Sequence, residues 1–84
     1  MYKIEWSNKA YKQLEKIQEQ DRKPITDAVR TLSEFPNCKN IRALTNHQYP
    51  YRLRVGRYRV FFTIGHAVKI AKIEEVKKRD EQTY

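Results

Sequence analysis

Two alternating runs, Tyr51-Arg-Leu-Arg-Val55 and Tyr58-Arg-Val-Phe-Phe-Thr-Ile64, are separated only by Gly56-Arg57. Alternation with a period of two marks a strand with one buried face. Glycine at the first of two central positions suits a type II′ turn. Together they read as one β-hairpin whose register is fixed: Val55 and Tyr58 flank the turn, Leu53 faces Val60, and Arg54 faces Arg59. Leu53, Val55, Tyr58, Val60, Phe62 and Ile64 then point one way, and Arg52, Arg54, Arg59, Phe61 and Thr63 point the other.

The rest of the chain has to supply a cover for the apolar face. Tyr2, Ile4 and Trp6 alternate with Lys3 and Glu5 as a first strand. Ser7 or Asn8 can cap a helix whose apolar positions are Ala10, Leu14 and Ile17. Asp21 is a second cap candidate, with Pro24 in the first turn of a helix carrying Ile25, Ala28, Val29, Leu32 and Phe35 on one stripe, stopped by Pro36-Asn37. Residues 36–50 read as a loop. Gly65-His66 predicts a turn, and a last strand near Ala67–Val76 slips phase, which predicts a bulge near Ala71. The fold class expected is α+β in the order β-α-α-β-β-β. A two-helix hairpin packs on one face of a mainly antiparallel four-stranded sheet, and residues 1–84 form a single domain.

Charge is distributed as unevenly as hydrophobicity. Between Glu34 and Glu74 lie 39 residues with no acid and eight cations, and the other 45 residues hold ten charges of each sign. The net charge of +8 therefore resides in one segment centred on the hairpin. Arg54 and Arg59, as a non-hydrogen-bonded pair, place their Cα atoms ~4.5 Å apart. Like charges directly opposite cost about a few tenths of a kcal/mol, and nothing acidic lies within the hairpin to relieve them. A solvated basic face is the plain reading. The convergence of three arginines beside Phe61 favours a phosphate site, since guanidinium forks match phosphate oxygens and an aromatic ring can stack a base.

Single Cys38 excludes an internal disulfide and suits a reducing compartment. No apolar run approaches the ~20 residues of a membrane span, and the N-terminal residues do not read as a signal peptide. The expectation is a cytoplasmic protein with no membrane partner. Cys38, His47 and His66 are not spaced as a zinc site, so neither metal nor cofactor is expected.

The helical pair ending in Phe35-Pro36, Leu44, Tyr51-Arg-Leu-Arg, Gly56-Arg-Tyr-Arg-Val60 and the closing Arg79 and Tyr84 resemble RelE/ParE-superfamily toxins of bacterial toxin–antitoxin pairs. The closing residues are similar to the RelE-like branch. That branch cuts mRNA in the A site of the 70S ribosome, without metal, by attack of the ribose 2′-OH on the adjacent phosphate. The resemblance implies phosphate-binding roles for Arg52 and Arg54, with Arg54 also in the catalytic set, a phosphate-stabilising role for Arg59, a second such role for Arg79, and a catalytic tyrosine at Tyr84. It also implies a cognate antitoxin that neutralises the arginine face. Arg57, Phe61, Lys77 and Lys78 complete the expected RNA-binding set.

The chemistry needs a base, positive charge for the transition state, and an acid. The arginines supply charge but cannot act as base near neutral pH. Tyr84 among guanidiniums is favoured toward phenolate and is the candidate base, with Arg79 as leaving-group partner. Lys77, Lys78 or His47 are alternatives. Two rival functions remain open at this stage: a ParE-like inhibitor of DNA gyrase without nuclease activity, and a non-catalytic RNA-binding relative.

Overall fold

The computed structural model describes residues 1–79. The order is β1 (Lys3–Trp6), α1 (Asn8–Glu15), α2 (Glu19–Arg30), a 3-10 turn (Thr31–Glu34), β2 (Ile41–Ala43), β3 (Tyr51–Val55), β4 (Tyr58–Gly65) and β5 (Ile70–Lys78). The strands form one five-stranded sheet in the order β1-β5-β4-β3-β2. β1 runs parallel to β5 and every other pair is antiparallel.

The hairpin has the expected register, with Leu53 opposite Val60 and Arg54 opposite Arg59. Gly56 adopts φ +55, a left-handed conformation that glycine enters without steric cost, while Arg57 stays at negative φ. That combination is the type II′ signature.

Three expectations need correction. The sheet has five strands rather than four, because Ile41–Ala43 pairs with β3 inside the segment read as loop. Three residues are too few to show alternation, so the pairing partner defines this strand. Second, α2 begins at Glu19 rather than after Asp21, which leaves Pro24 inside the helix. Asp21 is no cap; it accepts a 3.1 Å hydrogen bond from the Tyr58 hydroxyl and ties α2 to the hairpin. Third, the bulge lies at Glu74 rather than near Ala71. Phe61 pairs with Glu75 and Phe62 with Ile73, so Glu74 is the extra residue.

Ser7 is the cap of α1, accepting a 3.0 Å bond from the Ala10 amide. β1 ends opposite Ile73, so the rest of β5 would present an open edge. α1 closes it with side chains. The Ser7 hydroxyl donates to the Glu74 carbonyl at 3.0 Å, and Gln13 Oε1 accepts from the Val76 amide at 2.7 Å.

The core sits between the helices and one face of the sheet. Ala10, Leu14, Ile25, Val29 and Leu32 meet Leu53, Val60, Phe62, Ala71, Ile73 and Val76. Phe35 packs edge-on against Tyr2, Tyr51 and Phe62 at centroid distances of 5.9, 5.1 and 6.1 Å. Full burial of such side chains contributes ~1.5–3 kcal/mol each. Among the described residues no helix packs on the opposite face of the sheet, and there the charged residues collect.

Candidate functional site

Strand alternation and register write two rows of side chains across the helix-free face. One runs Arg42, Arg52, Phe61, Glu75 over β2, β3, β4 and β5; the next runs Arg54, Arg59, Lys77. The turn then brings in Arg57, and the Arg79 amide donates to the Arg57 carbonyl at 2.6 Å, fixing Arg79 at the same end. Arg42, Arg52, Arg54, Arg57, Arg59 and Arg79 together line a cleft of about 150 Å³ with Gly56 and Tyr58. No acidic side chain lines it among the described residues.

Arg52 is the innermost of these groups. Its Nε is buried and has no hydrogen-bond partner among the described residues. A buried donor left unpaired costs about 1–3 kcal/mol, and more for a charged group. Burial lowers the Arg52 pKa from its ordinary value, and the like charges of Arg42, Arg59 and Arg54 lower it further. An anion in the cleft would relieve all of these penalties at once, since guanidinium-to-oxyanion hydrogen bonds are the strong ones.

The expected site residues separate into groups. Arg52, Arg54, Arg57, Arg59 and Arg79 converge on the cleft, and Lys77 faces the same side beside Arg59. Lys78 does not join them. It alternates to the other side and lines a groove with Gln13, Lys16, Ile17 and Tyr58. Tyr84, the expected catalytic tyrosine, lies outside the described residues.

Phe61 faces the arginine side but is only 6% exposed. His47 stacks on it at 5.0 Å and 17°, and Tyr49 at 5.6 Å and 29°. Its ring is therefore covered by residues of the β2–β3 connection rather than open to a base. His47 is exposed, and its Nδ1 accepts a 3.0 Å hydrogen bond from the Tyr49 amide. An amide can only donate, so the neutral ring must carry its proton on Nε2. In this arrangement His47 presents a donor to solvent, which argues against its use as a general base.

The sequence reading missed three members of this face. Arg42 was hidden in a strand too short to see. Tyr49 was hidden in the same connection. Glu75 faces the arginines only because the bulge at Glu74 shifts the phase of β5. It is buried, with Lys9 and Lys77 ammonium groups each 3.6 Å from its carboxylate. Burial opposes its ionisation, but Tyr49, Lys77, Lys9 and Gln13 outweigh that and hold its pKa below the usual value. The Tyr49 phenol is raised, by burial first and then by Glu75 and Glu74.

Among the described residues no group of three or more His, Cys, Asp or Glu is placed to hold a metal ion, and no helix is long and apolar enough to cross a membrane.

No curated protein matches the chain by sequence. Solved structures match its fold over nearly its whole length. The isolated E. coli RelE toxin superposes with a TM-score of 0.82 at 15% identity, covering 99% of this chain and 89% of that one. The toxin–antitoxin complex RelBE2 from Mycobacterium tuberculosis gives 0.79 at 20% identity over 93% and 98%. The archaeal RelE–RelB complex from Pyrococcus horikoshii OT3 gives 0.75 at 21% identity over 95% and 97%. At these identities the likeness establishes the RelE fold. A family model described as the ParE toxin of the type II toxin–antitoxin system parDE matches residues 4–83. The chain belongs to this family of type II toxins, within the RelE/ParE superfamily.

Proposed function

We propose that the toxin is a ribosome-dependent endoribonuclease that cleaves mRNA in the A site by metal-independent attack of a ribose 2′-OH on the adjacent phosphodiester. The observation that carries this reading is the six-arginine cleft, with the buried Nε of Arg52 lacking a partner among the described residues. A phosphodiester entering the cleft gains donors already held in place. As its phosphorus becomes five-coordinate, negative charge grows on the oxygens that Arg52, Arg54 and Arg59 face. Donors aimed at developing charge contribute several kcal/mol of barrier reduction. Arg79, held at the turn, would face the leaving 5′-oxygen. Tyr84, five residues beyond Arg79 in sequence, is the candidate base. Such weak acid–base groups leave much of the rate to positioning of the messenger by the ribosome.

A second reading has one observation behind it: the family model matched is that of ParE toxins. A gyrase inhibitor would use the arginine cleft for binding alone. Under both readings the partner is a cognate antitoxin. Solved relatives include toxins bound to RelB antitoxins, and an acidic segment laid over Arg52, Arg54 and Arg59 would neutralise this one.

Cell-free translation with the purified chain, followed by primer extension, tests the proposal. Messenger breaks at A-site codons are expected only with ribosomes, and Arg59→Ala should lower their rate by ~10²–10³. Loss of breaks in Tyr84→Phe assigns the base to Tyr84; survival transfers that role to Lys77, which faces the cleft side beside Arg59. Intact messenger at every toxin concentration would overturn the nuclease reading, and a gyrase supercoiling assay would then test the second.

A further inference from the structure

We infer that His47 and Tyr49 form a nucleobase-stacking platform beside the arginine cleft, a subsite that gives the toxin contact with the base as well as the phosphates of a single-stranded RNA. The inference rests on the phosphate-binding reading of the cleft and extends it to the base.

Phe61 is the foundation. It is the one aromatic on the arginine face of β4, and it is flanked in its row by Arg52 and Glu75. Its own ring is inaccessible because two other rings lie on it. Those two are 6.0 Å apart and tilted by 42°, so they rest side by side on the phenylalanine rather than on each other. The outer surface of the stack is the face of His47, which is exposed, together with part of Tyr49.

Both rings are held in place. The Tyr49 amide donates to His47 Nδ1 at 3.0 Å, which closes the turn and sets the imidazole orientation. Tyr49 also lies near enough to Glu75 for each to shift the other's pKa, and Glu75 is itself held by Lys9 and Lys77 at 3.6 Å each. A lone cover for Phe61 would not need an exposed imidazole locked in orientation; any aliphatic side chain would do.

The spacing fits a nucleotide. Phe61 and Arg59 point to the same side two residues apart on β4, roughly 7 Å along the strand. A backbone phosphate at Arg59 and Arg52 therefore leaves its attached base within reach of the platform. Stacking supplies about 1–3 kcal/mol per base without demanding a particular base. The Nε2–H of His47 adds one outward donor for a base edge or a neighbouring phosphate.

The test uses the full-length toxin and two labelled probes: a 2′-O-methyl hexauridylate, which cannot be cleaved, and the same oligomer with abasic interior positions. Fluorescence anisotropy should show wild type binding the base-bearing probe roughly 5- to 100-fold more tightly than the abasic one. His47→Leu, which keeps Phe61 covered but offers no π face, should remove most of that ratio, and His47→Phe should keep it. Circular dichroism melts check that both fold. Arg52→Ala should weaken both probes equally. If wild type binds both probes alike, or His47→Leu keeps the ratio, the platform is refuted while an effect of Arg52→Ala keeps the phosphate site. If Arg52→Ala changes neither probe, the phosphate reading and the platform fall together.

Discussion

Leu53 and Arg54 are neighbours in β3, as are Arg59 and Val60 in β4, yet alternate residues of the same strands live under opposite rules. On the helix side, Leu53, Val60, Phe62, Ala71 and Ile73 are each 1% exposed or less, and the rings around Phe35 interlock. On the other side, like charges stand opposite one another and the Nε of Arg52 is buried without a partner among the described residues. One face adds stability through burial; the other gives some of it back. A small domain has little stability to spare, so the strained face makes physical sense as a surface completed by an anion. The comparison predicts that substitutions on the two faces sort into two kinds, one felt in folding and the other in binding and turnover.

The largest effect belongs to the core. Phe62→Ala should cost ~3–5 kcal/mol by leaving a cavity between β4 and the helices. In a domain of this size that lowers the melting temperature by roughly 15–30 °C. Arg52→Ala, in the row next to it but on the other face, should leave the melt nearly unchanged. Thermal unfolding followed by circular dichroism compares them directly. Similar losses in the two variants would mean that the arginine face carries stability as well, and the division would collapse.

Arg59→Ala comes next and, under the proposed nuclease function, should register in turnover instead. Removing one donor from a preorganised oxyanion site typically costs ~10²–10³ in rate. Ribosome-dependent cleavage should fall by that much with no loss of melting temperature. A variant that cleaves normally would reduce the cleft to a binding surface.

Legibility in the sequence follows the same division. The hairpin was readable because both strands alternate over five or more residues and the turn has its glycine, so the facing of Arg54 and Arg59 came from the period alone. The helix stripes were readable for the same reason, and the α+β class with them. β2 was not, since three residues carry no period. The bulge was misplaced because Ala71 and Ile73 are in phase with the core, and the slip shows only when Glu75 and Val76 are matched against β4. Of the site, the hairpin arginines were legible. Arg42 was not, because it reaches the cleft through an edge strand defined only by its partner. The stacking of His47 and Tyr49 on Phe61 depends on how a connection folds back over the sheet, which no local pattern encodes. The same fold-back covers Phe61, so that under the proposed platform its expected role passes to the rings above it.

Glu75 sits where the two regimes meet, buried like a core residue but facing the arginines. Glu75→Gln should destabilise the fold by ~1 kcal/mol, because Lys9 and Lys77 can turn to water and only Tyr49 and Gln13 lose a charged partner. The effect has a defined pH dependence. The folded pKa lies below the unfolded one, so the contribution is fully present above the unfolded carboxylate range near ~4.3. It is lost as pH falls through the folded value. Urea midpoints of wild type and Glu75→Gln should differ at pH 7 and converge toward pH 3. A constant gap would show that the ionised form contributes nothing and that Glu75 acts by packing alone.

The smallest effect is the sharpest probe of the comparison because its sign is opposite to the usual one. Most substitutions destabilise, but Arg54→Gln removes one member of a facing like-charge pair from an exposed position. It should raise stability by about a few tenths of a kcal/mol. The gain should shrink as salt is raised, since screening already relieves the repulsion in wild type. Chemical denaturation at low and high sodium chloride measures both. Under the proposed function the same variant should also weaken capture of a single-stranded RNA and of an acidic antitoxin segment, because both would use the charge that the fold would do better without. A loss of stability at low salt would mean that Arg54 is already paired within the free chain, and the helix-free face would then be a finished surface rather than one waiting for its anion.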